Sequence, residues 1–245
     1  NYRATQYILD NGFDSYFQWH DEFSWYPSGR DVSSNAQVML HFTAAITYWI
    51  FGAGGNLYDF TILFPVIFGS LTSIVVFALV RVIGGTTAGL FSALLFSISL
   101  PIIIRGQLGW FKSEPLGLFF SILAVYLFLS GLNSKNPKIT ISKIIGAGIF
   151  IIFGLSAWGG DQFFILPLGI FILTLPFLQS NHKFLIWTIP LFTASIMISS
   201  LAFERLGIHF ITGFGGVSLI IPTIFLVSCI IIQNKSKENY KQRNG

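Results

Sequence analysis

Seven long apolar runs, almost free of charge, dominate this chain. They are Tyr58–Val80, Thr86–Ile104, Leu116–Leu132, Ile144–Trp158, Phe163–Leu178, Phe184–Phe203 and Gly213–Ile232. A helix crossing a bilayer core of roughly 30 Å takes about 17–25 such residues. Inside lipid every backbone N–H and C=O must pair within the protein, so only helices and closed barrels cross. These runs lack the strict alternation of barrel strands, which makes them helices. Gly159, Gly160 and Asp161 separate two short runs and predict a tight turn at a membrane surface, with Asp161 a helix-end residue there. The expected fold is all-α and polytopic, with about seven spans behind an N-terminal external loop.

Composition supports this. Only 10% of the 245 residues are charged and the mean hydropathy is +0.71. A soluble domain has about 25% charged residues. So few charges cannot cover a soluble surface, and so apolar a chain is not disordered. A single cysteine, Cys229, excludes a disulfide scaffold, and inside an apolar span its thiol is expected to be inert.

Basic residues set the orientation. With alternate connections on one side, that side collects Arg81, Lys135, Lys138, Lys143, Lys183, Lys235, Lys237, Lys241 and Arg243, nine in all, with Glu238 its one acid. The other side has five basic residues (Arg3, Arg30, Arg105, Lys112, Arg205) and eight of the ten acids. The basic side is therefore cytoplasmic. The net charge of +4 reflects this asymmetry and not a nucleic-acid partner.

Three regions follow: residues 1–57 as a first external loop, 58–232 as the transmembrane core with a second external loop at 105–115, and 233–245 as a basic, polar, flexible cytoplasmic tail. Within the first, Asn1–Asn11 reads as an amphipathic helix with Ala4, Tyr7 and Ile8 on one face and Gly12 as C-cap. Gln18–Arg30 is a polar and aromatic loop punctuated by Pro27 and Gly29. Gln37–Phe51 is apolar but short, and is expected to dip into or lie along the outer face, with His41 pairing inside the outer segment. Trp19, Trp25 and Tyr26 suit interfacial anchoring or loop packing. Gly213–Gly216 suits close helix packing.

Chemistry is concentrated outside. Hard divalent cations take carboxylate oxygens, and Mg²⁺ or Mn²⁺ can bridge protein acids to phosphate. His20, Asp21 and Glu22 are either metal ligands or a solvated turn, and Asp31 is a further candidate ligand. Loop Arg105–Glu114 (RGQLGWFKSE) sets Arg105, Lys112 and Glu114 at headgroup depth, where charge is costly unless it is used or snorkels to the interface.

At these residues the chain resembles a known family. Asn1-Tyr2-Arg3, then Trp25-Tyr26-Pro27 with Gly29 and Arg30, resemble the first external loop of the catalytic subunit of asparagine-linked oligosaccharyltransferase, archaeal type. That family reads close to DPYFNYR and WFDDRAWYPLGR there. Arg105 falls where the family has an Arg seven residues before an acid-x-acid motif. Ser156-Ala157-Trp158-Gly159-Gly160 is similar to its SSWGG.

The resemblance implies transfer of an oligosaccharide from a dolichol-phosphate-type lipid to Asn in Asn-x-Ser/Thr acceptors. It implies an integral membrane protein with an extracytoplasmic active side and a Mn²⁺ or Mg²⁺ cofactor. By position, Glu114 would be a metal ligand and catalytic acid of the second loop, with Asp31 a further ligand. Arg105 would be catalytic and would hold the lipid phosphate together with Lys112. His20, Asp21, Trp25, Tyr26 and Arg30 would form a substrate loop. The chain departs from the family in having Lys112 at the first acid of acid-x-acid, since an ammonium has no lone pair for a metal. The family's first-loop acid would precede Asn1, and its WWDYG-type domain would follow the chain. The chain thus reads as a piece of a longer enzyme, inactive by itself. The alternatives are another polyprenyl-phosphate-sugar glycosyltransferase, a non-catalytic paralogue, or a transporter-like subunit. The scarcity of ionisable groups inside the spans counts against transport.

Overall fold

The computed structural model describes residues 1–178 and 182–243. It is helical throughout, apart from one short hairpin. The outer segment comprises α1 (Tyr2–Asn11), α2 (Phe13–Phe17), strands β1 (His20–Asp21) and β2 (Arg30–Asp31), α3 (Val32–Asn35) and α4 (Val38–Phe51). The membrane part follows as α5 (Leu57–Ser97), α6 (Leu100–Arg105), α7 (Glu114–Leu132), α8 (Pro137–Ala157), α9 (Gln162–Leu178), α10 (His182–Ser200), α11 (Gly207–Thr212) and α12 (Phe214–Arg243).

Six helices among the described residues are long and apolar enough to cross a membrane. The first of them, α5, contains one expected span, Tyr58–Val80, and most of a second, Thr86–Ile104. Gly85 has φ 83° and ψ 179°, which interrupts the helix. Only glycine enters that region without a Cβ penalty. The chain then doubles back. Gly89 packs on the Phe77 carbonyl, Ser97 Oγ donates to Ser73 Oγ at 3.1 Å, and Gly109 N–H donates to Ile62 O at 3.0 Å. Rising numbers meet falling ones, so Thr86–Ser97 runs antiparallel to the first half. With α6 it makes the return pass.

Lipid is as apolar as leucine, so burial from water cannot drive these helices together; close packing and interhelical hydrogen bonds do. Small residues mark the crossings. A methyl on Gly169 of α9 would collide with the Ser218 carbonyl of α12, and one on Gly148 of α8 would overlap Ser195 of α10. Thr193 and Thr223 share a buried hydrogen bond of 2.7 Å between α10 and α12. Phe128 and Phe192 meet at 4.3 Å in the main core. Gly215 and Gly216 pack against Phe210 and Ile211, where α11 turns into α12.

Helix α4 has 14 residues. At 1.5 Å per residue it reaches only about 21 Å, too short to cross. It buries Leu40, His41 and Ala44 and exposes Trp49, Ile50 and Phe51, as a helix lying along an interface does. Helix α12 continues through the polar segment to Arg243, and the last two residues of the expected tail, 244 and 245, lie outside the described residues.

Candidate functional site

Helix α1 buries Ala4, Thr5 and Ile8 and ends at Gly12, whose φ is 86°. This helix brings Asn1 against the second outer loop. Asn1 Nδ2 donates to the Phe111 carbonyl at 3.0 Å, and Asn1 Oδ1 faces His41 Nε2 at 3.3 Å. His41 Nδ1 in turn lies 2.7 Å from the Tyr16 hydroxyl. The partners assign the protons. Asn1 Oδ1 can only accept, so His41 Nε2 carries the hydrogen and Nδ1 accepts from Tyr16. A directed chain, Tyr16 to His41 to Asn1 to Phe111, therefore joins the two outer loops through a neutral imidazole. Burial pushes the His41 pKa down to about 3, helped by the positive charges of the Asn1 amino group and of Arg30.

In the second loop, Arg105 closes α6 and Glu114 opens α7. An acid in the first turn of a helix suits its dipole. Arg105 Nη1 donates to Glu114 Oε1 at 3.1 Å. Glu114 Oε2 is buried without a partner. The Arg105 guanidinium and the Lys112 ammonium both lie over the Trp110 ring, at 5.6 and 5.3 Å. Among the described residues Lys112 forms no ion pair. The structure thus brings Arg105, Lys112 and Glu114 together around one indole, with Asn1 tied to the same loop. Two fixed cations on an aromatic platform are suited to an anion.

The hairpin pairs His20 with Asp31 and Asp21 with Arg30 in register. His20 Nδ1 lies 2.7 Å from Asp31 Oδ1, and its Nε2 lies 3.1 Å from the Ser28 carbonyl. Both partners accept, so the doubly protonated imidazolium fits best. The bond to Asp31 is the main reason that the His20 pKa is raised. Asp21 is buried and is not a solvated turn residue: it accepts from Arg3, Ser24 Oγ and Phe23 N–H. Burial raises its pKa, but the three donors together outweigh this and leave it below the usual range. Trp25, beneath the Arg30 guanidinium at 5.7 Å, and Tyr26 stand exposed at the hairpin tip. Asp31 is thus committed to His20. No three His, Cys, Asp or Glu side chains gather into a metal-binding group among the described residues. Glu114, with its unpartnered oxygen, can supply one donor to a metal and not a shell.

Asp161 ends the turn Gly159–Asp161 between α8 and α9, as expected, but it is wholly buried there, beside the Ser121 hydroxyl. Gly117 of α7 and Gly154 of α8 make its space: a methyl on either would come within 2.8 Å of its Oδ2. His41 pairs within the segment 1–57, as expected, and Tyr16 and Asn1 are its partners. Sequence reasoning missed the Arg3–Asp21 pair and the 2.6 Å bond from Ser33 Oγ to Glu204 Oε2 that ties α3 to the turn before α11.

One protein-family model, described as oligosaccharyl transferase STT3, N-terminal, matches residues 1–239. The chain belongs to the STT3 family. Among STT3 relatives, the Arabidopsis thaliana dolichyl-diphosphooligosaccharide–protein glycosyltransferase subunit STT3B is 29% identical over 178 residues, covering 71% of this chain and 24% of that protein. Similar solved structures include the Archaeoglobus fulgidus oligosaccharyltransferase in three states. With Zn and sulfate it matches at TM-score 0.72 and 19% identity, over 99% of this chain and 32% of that one. Tethered to an acceptor peptide with the NVT sequon it matches at 0.73 and 19%, over 100% and 30%. With an inhibitory peptide and a dolichol-phosphate it matches at 0.71 and 18%, again over 100% and 30%. These likenesses establish the helical membrane fold of an STT3-type protein. The chain spans about a quarter of the length of the curated relatives it matches. It is an integral membrane protein, related to glycosyltransferase subunits.

Proposed function

We propose that this chain is the membrane part of an oligosaccharyltransferase, which moves an oligosaccharide from a dolichol-phosphate-type lipid to Asn in Asn-x-Ser/Thr acceptors. Its active side is extracytoplasmic, the side poor in basic residues. The observation that carries the reading is the pair of cations, Arg105 and Lys112, over Trp110 beside Glu114. The family membership and the A. fulgidus complexes with dolichol-phosphate and acceptor peptide support it.

In this reading the phosphate of the donor lies against Arg105 and Lys112. Arg105 offers a planar fork of donors and Lys112 a point charge. Both are in place before reaction, so they stabilise the charge that grows on the departing phosphate as the sugar–oxygen bond breaks. The pairing with Glu114 keeps the Arg105 fork aimed. Asn1, held by His41, fixes the backbone at Phe111 and so the height of Lys112 next to it. A divalent cation, Mn²⁺ or Mg²⁺, would supply Lewis-acid stabilisation, with Glu114 Oε2 as a donor from this chain. Trp25, Tyr26, Arg30, Asp21 and His20 form the loop that faces substrate.

Glycan transfer to an Asn-x-Ser/Thr peptide by the full-length parent protein tests the reading. Arg105→Ala is expected to lower kcat by about 100-fold or more, the scale of losing one preorganised donor. If Glu114→Ala transfers normally in Mn²⁺, Glu114 is not a ligand. If Lys112→Asp transfers faster than the parent, the phosphate role of Lys112 is wrong.

A further inference from the structure

A second feature lies beside the site above and shares His20 and Asp21 with its substrate loop. Between α1 and the β1–β2 hairpin lies an open cleft of about 350 Å³, within the range of small-molecule sites. Its near wall is one face of α1: Arg3, Gln6, Tyr7 and Asp10, spaced i, i+3, i+4 and i+7. The opposite face of α1, with Ala4 and Ile8, is buried in the core. The far wall comes from the hairpin, with Trp19, Glu22 and Phe23.

The chemistry of the walls narrows the ligand. Tyr7 and Trp19 stack, with centroids 4.1 Å apart and planes within 4°, giving a rigid aromatic wall. Phe23, 90% exposed, offers a ring at the rim. Asp10 and Glu22 form no ion pair among the described residues, so both carboxylates are free acceptors, and the Gln6 amide both donates and accepts. The two cations in the walls are both paired: Arg3 with Asp21, held between the Trp19 and Phe23 rings, and the His20 imidazolium with Asp31. Phosphate therefore finds no unpaired cation here, and a lipid tail would lie against the Asp10 and Glu22 carboxylates. A polyhydroxylated ligand with C–H faces satisfies both halves: its hydroxyls meet Asp10, Glu22 and Gln6, and its C–H face meets the rings.

We propose that this cleft is a carbohydrate subsite that holds the outer sugars of the oligosaccharide donor. The assignment rests on the glycan-transfer reading, and the position of the cleft fits it. α1 follows its N-cap Asn1, which is bonded to the second loop, and runs on from there. Asp10 lies about 13 Å along the helix from Asn1. The first sugar, on its phosphate at Arg105 and Lys112, stays below the cleft, and a longer glycan extends into it.

The test uses the full-length protein, two donors on the same dolichol-phosphate carrier, and an Asn-x-Thr peptide. One donor carries a tetrasaccharide and the other a single sugar. In the double variant Asp10→Ala, Glu22→Ala, the KM for the tetrasaccharide donor is expected to rise about tenfold with kcat unchanged. Kinetics with the single-sugar donor should match the parent. Equal loss with both donors, loss with neither, or a raised KM for the peptide alone would overturn the subsite; the last would make the cleft a peptide-docking surface. If the parent transfers from neither donor, the glycan-transfer reading itself fails. The cleft is then judged by saturation-transfer NMR with the free tetrasaccharide. Contact in the parent that is lost in the double variant supports a carbohydrate site, and no contact in the parent overturns it.

Discussion

Single side chains hold the outer loops together, and His41 is central among them. Its two bonds require the neutral imidazole. Its pKa is near 3 in the fold against about 6.5 in an unfolded chain. Below pH 6.5 the unfolded chain takes up a proton that the fold refuses. Stability is therefore full above pH 6.5 and declines as pH falls toward 3. A thermal melt in detergent should show this decline, and His41→Leu should flatten that part of it. Removing the donor alone, with Tyr16→Phe, should cost about 1–3 kcal/mol, because His41 Nδ1 is left buried without a partner. His20 has the opposite sign. Its raised pKa means that the hairpin clasp is full below about 6.5 and is lost as pH rises through the folded value. Limited proteolysis within 22–29 should quicken across that rise. That His41 pairs within the first segment was legible in the sequence; which residues it and His20 pair with was not. Asn1 bonds a residue 110 positions away and Tyr16 one 25 away, and no local pattern marks such pairs. The burial of Asp161 was unreadable for a related reason: an acid at a turn gives no sign of the space that Gly117 and Gly154 make for it. Asp161→Asn should melt no lower than the parent, because a neutral amide keeps an acceptor for the Ser121 hydroxyl and removes the cost of burying an ionisable carboxyl.

At the scale of elements the sequence was far more readable. Lipid imposes one rule, that a span must be long, apolar and helical, and that rule acts on composition. The expected Leu116–Leu132 falls inside α7, all but the first residue of Gly213–Ile232 falls inside α12, and Thr86–Ile104 reappears as the return half of α5 with α6. How the spans touch was not readable, because leucine faces lipid and protein alike. Glycines decide it. Gly169→Ala pushes a methyl into the Ser218 backbone of α12, which cannot yield as a flexible side chain would. Its expected cost is about 1–3 kcal/mol, read as a lower melting temperature in detergent. Gly84→Ala, with only the Ala88 methyl nearby, should cost less.

The whole molecule is a bundle with one end closed by a small cap. Helices α1 to α4 and the hairpin rest on the second loop through Asn1, and on the turn before α11 through Ser33 and Glu204. Cations, aromatic rings and acids gather under that cap, while the bundle beneath carries almost no charge. The central claim is that this gathering serves a lipid-linked phosphate. Binding of dolichol-phosphate to the full-length protein tests it most directly, titrated in detergent with parent, Arg105→Ala and Lys112→Ala. The account predicts a dissociation constant at least tenfold weaker in each variant, with unchanged melting of the bundle. Equal affinity in all three would contradict it.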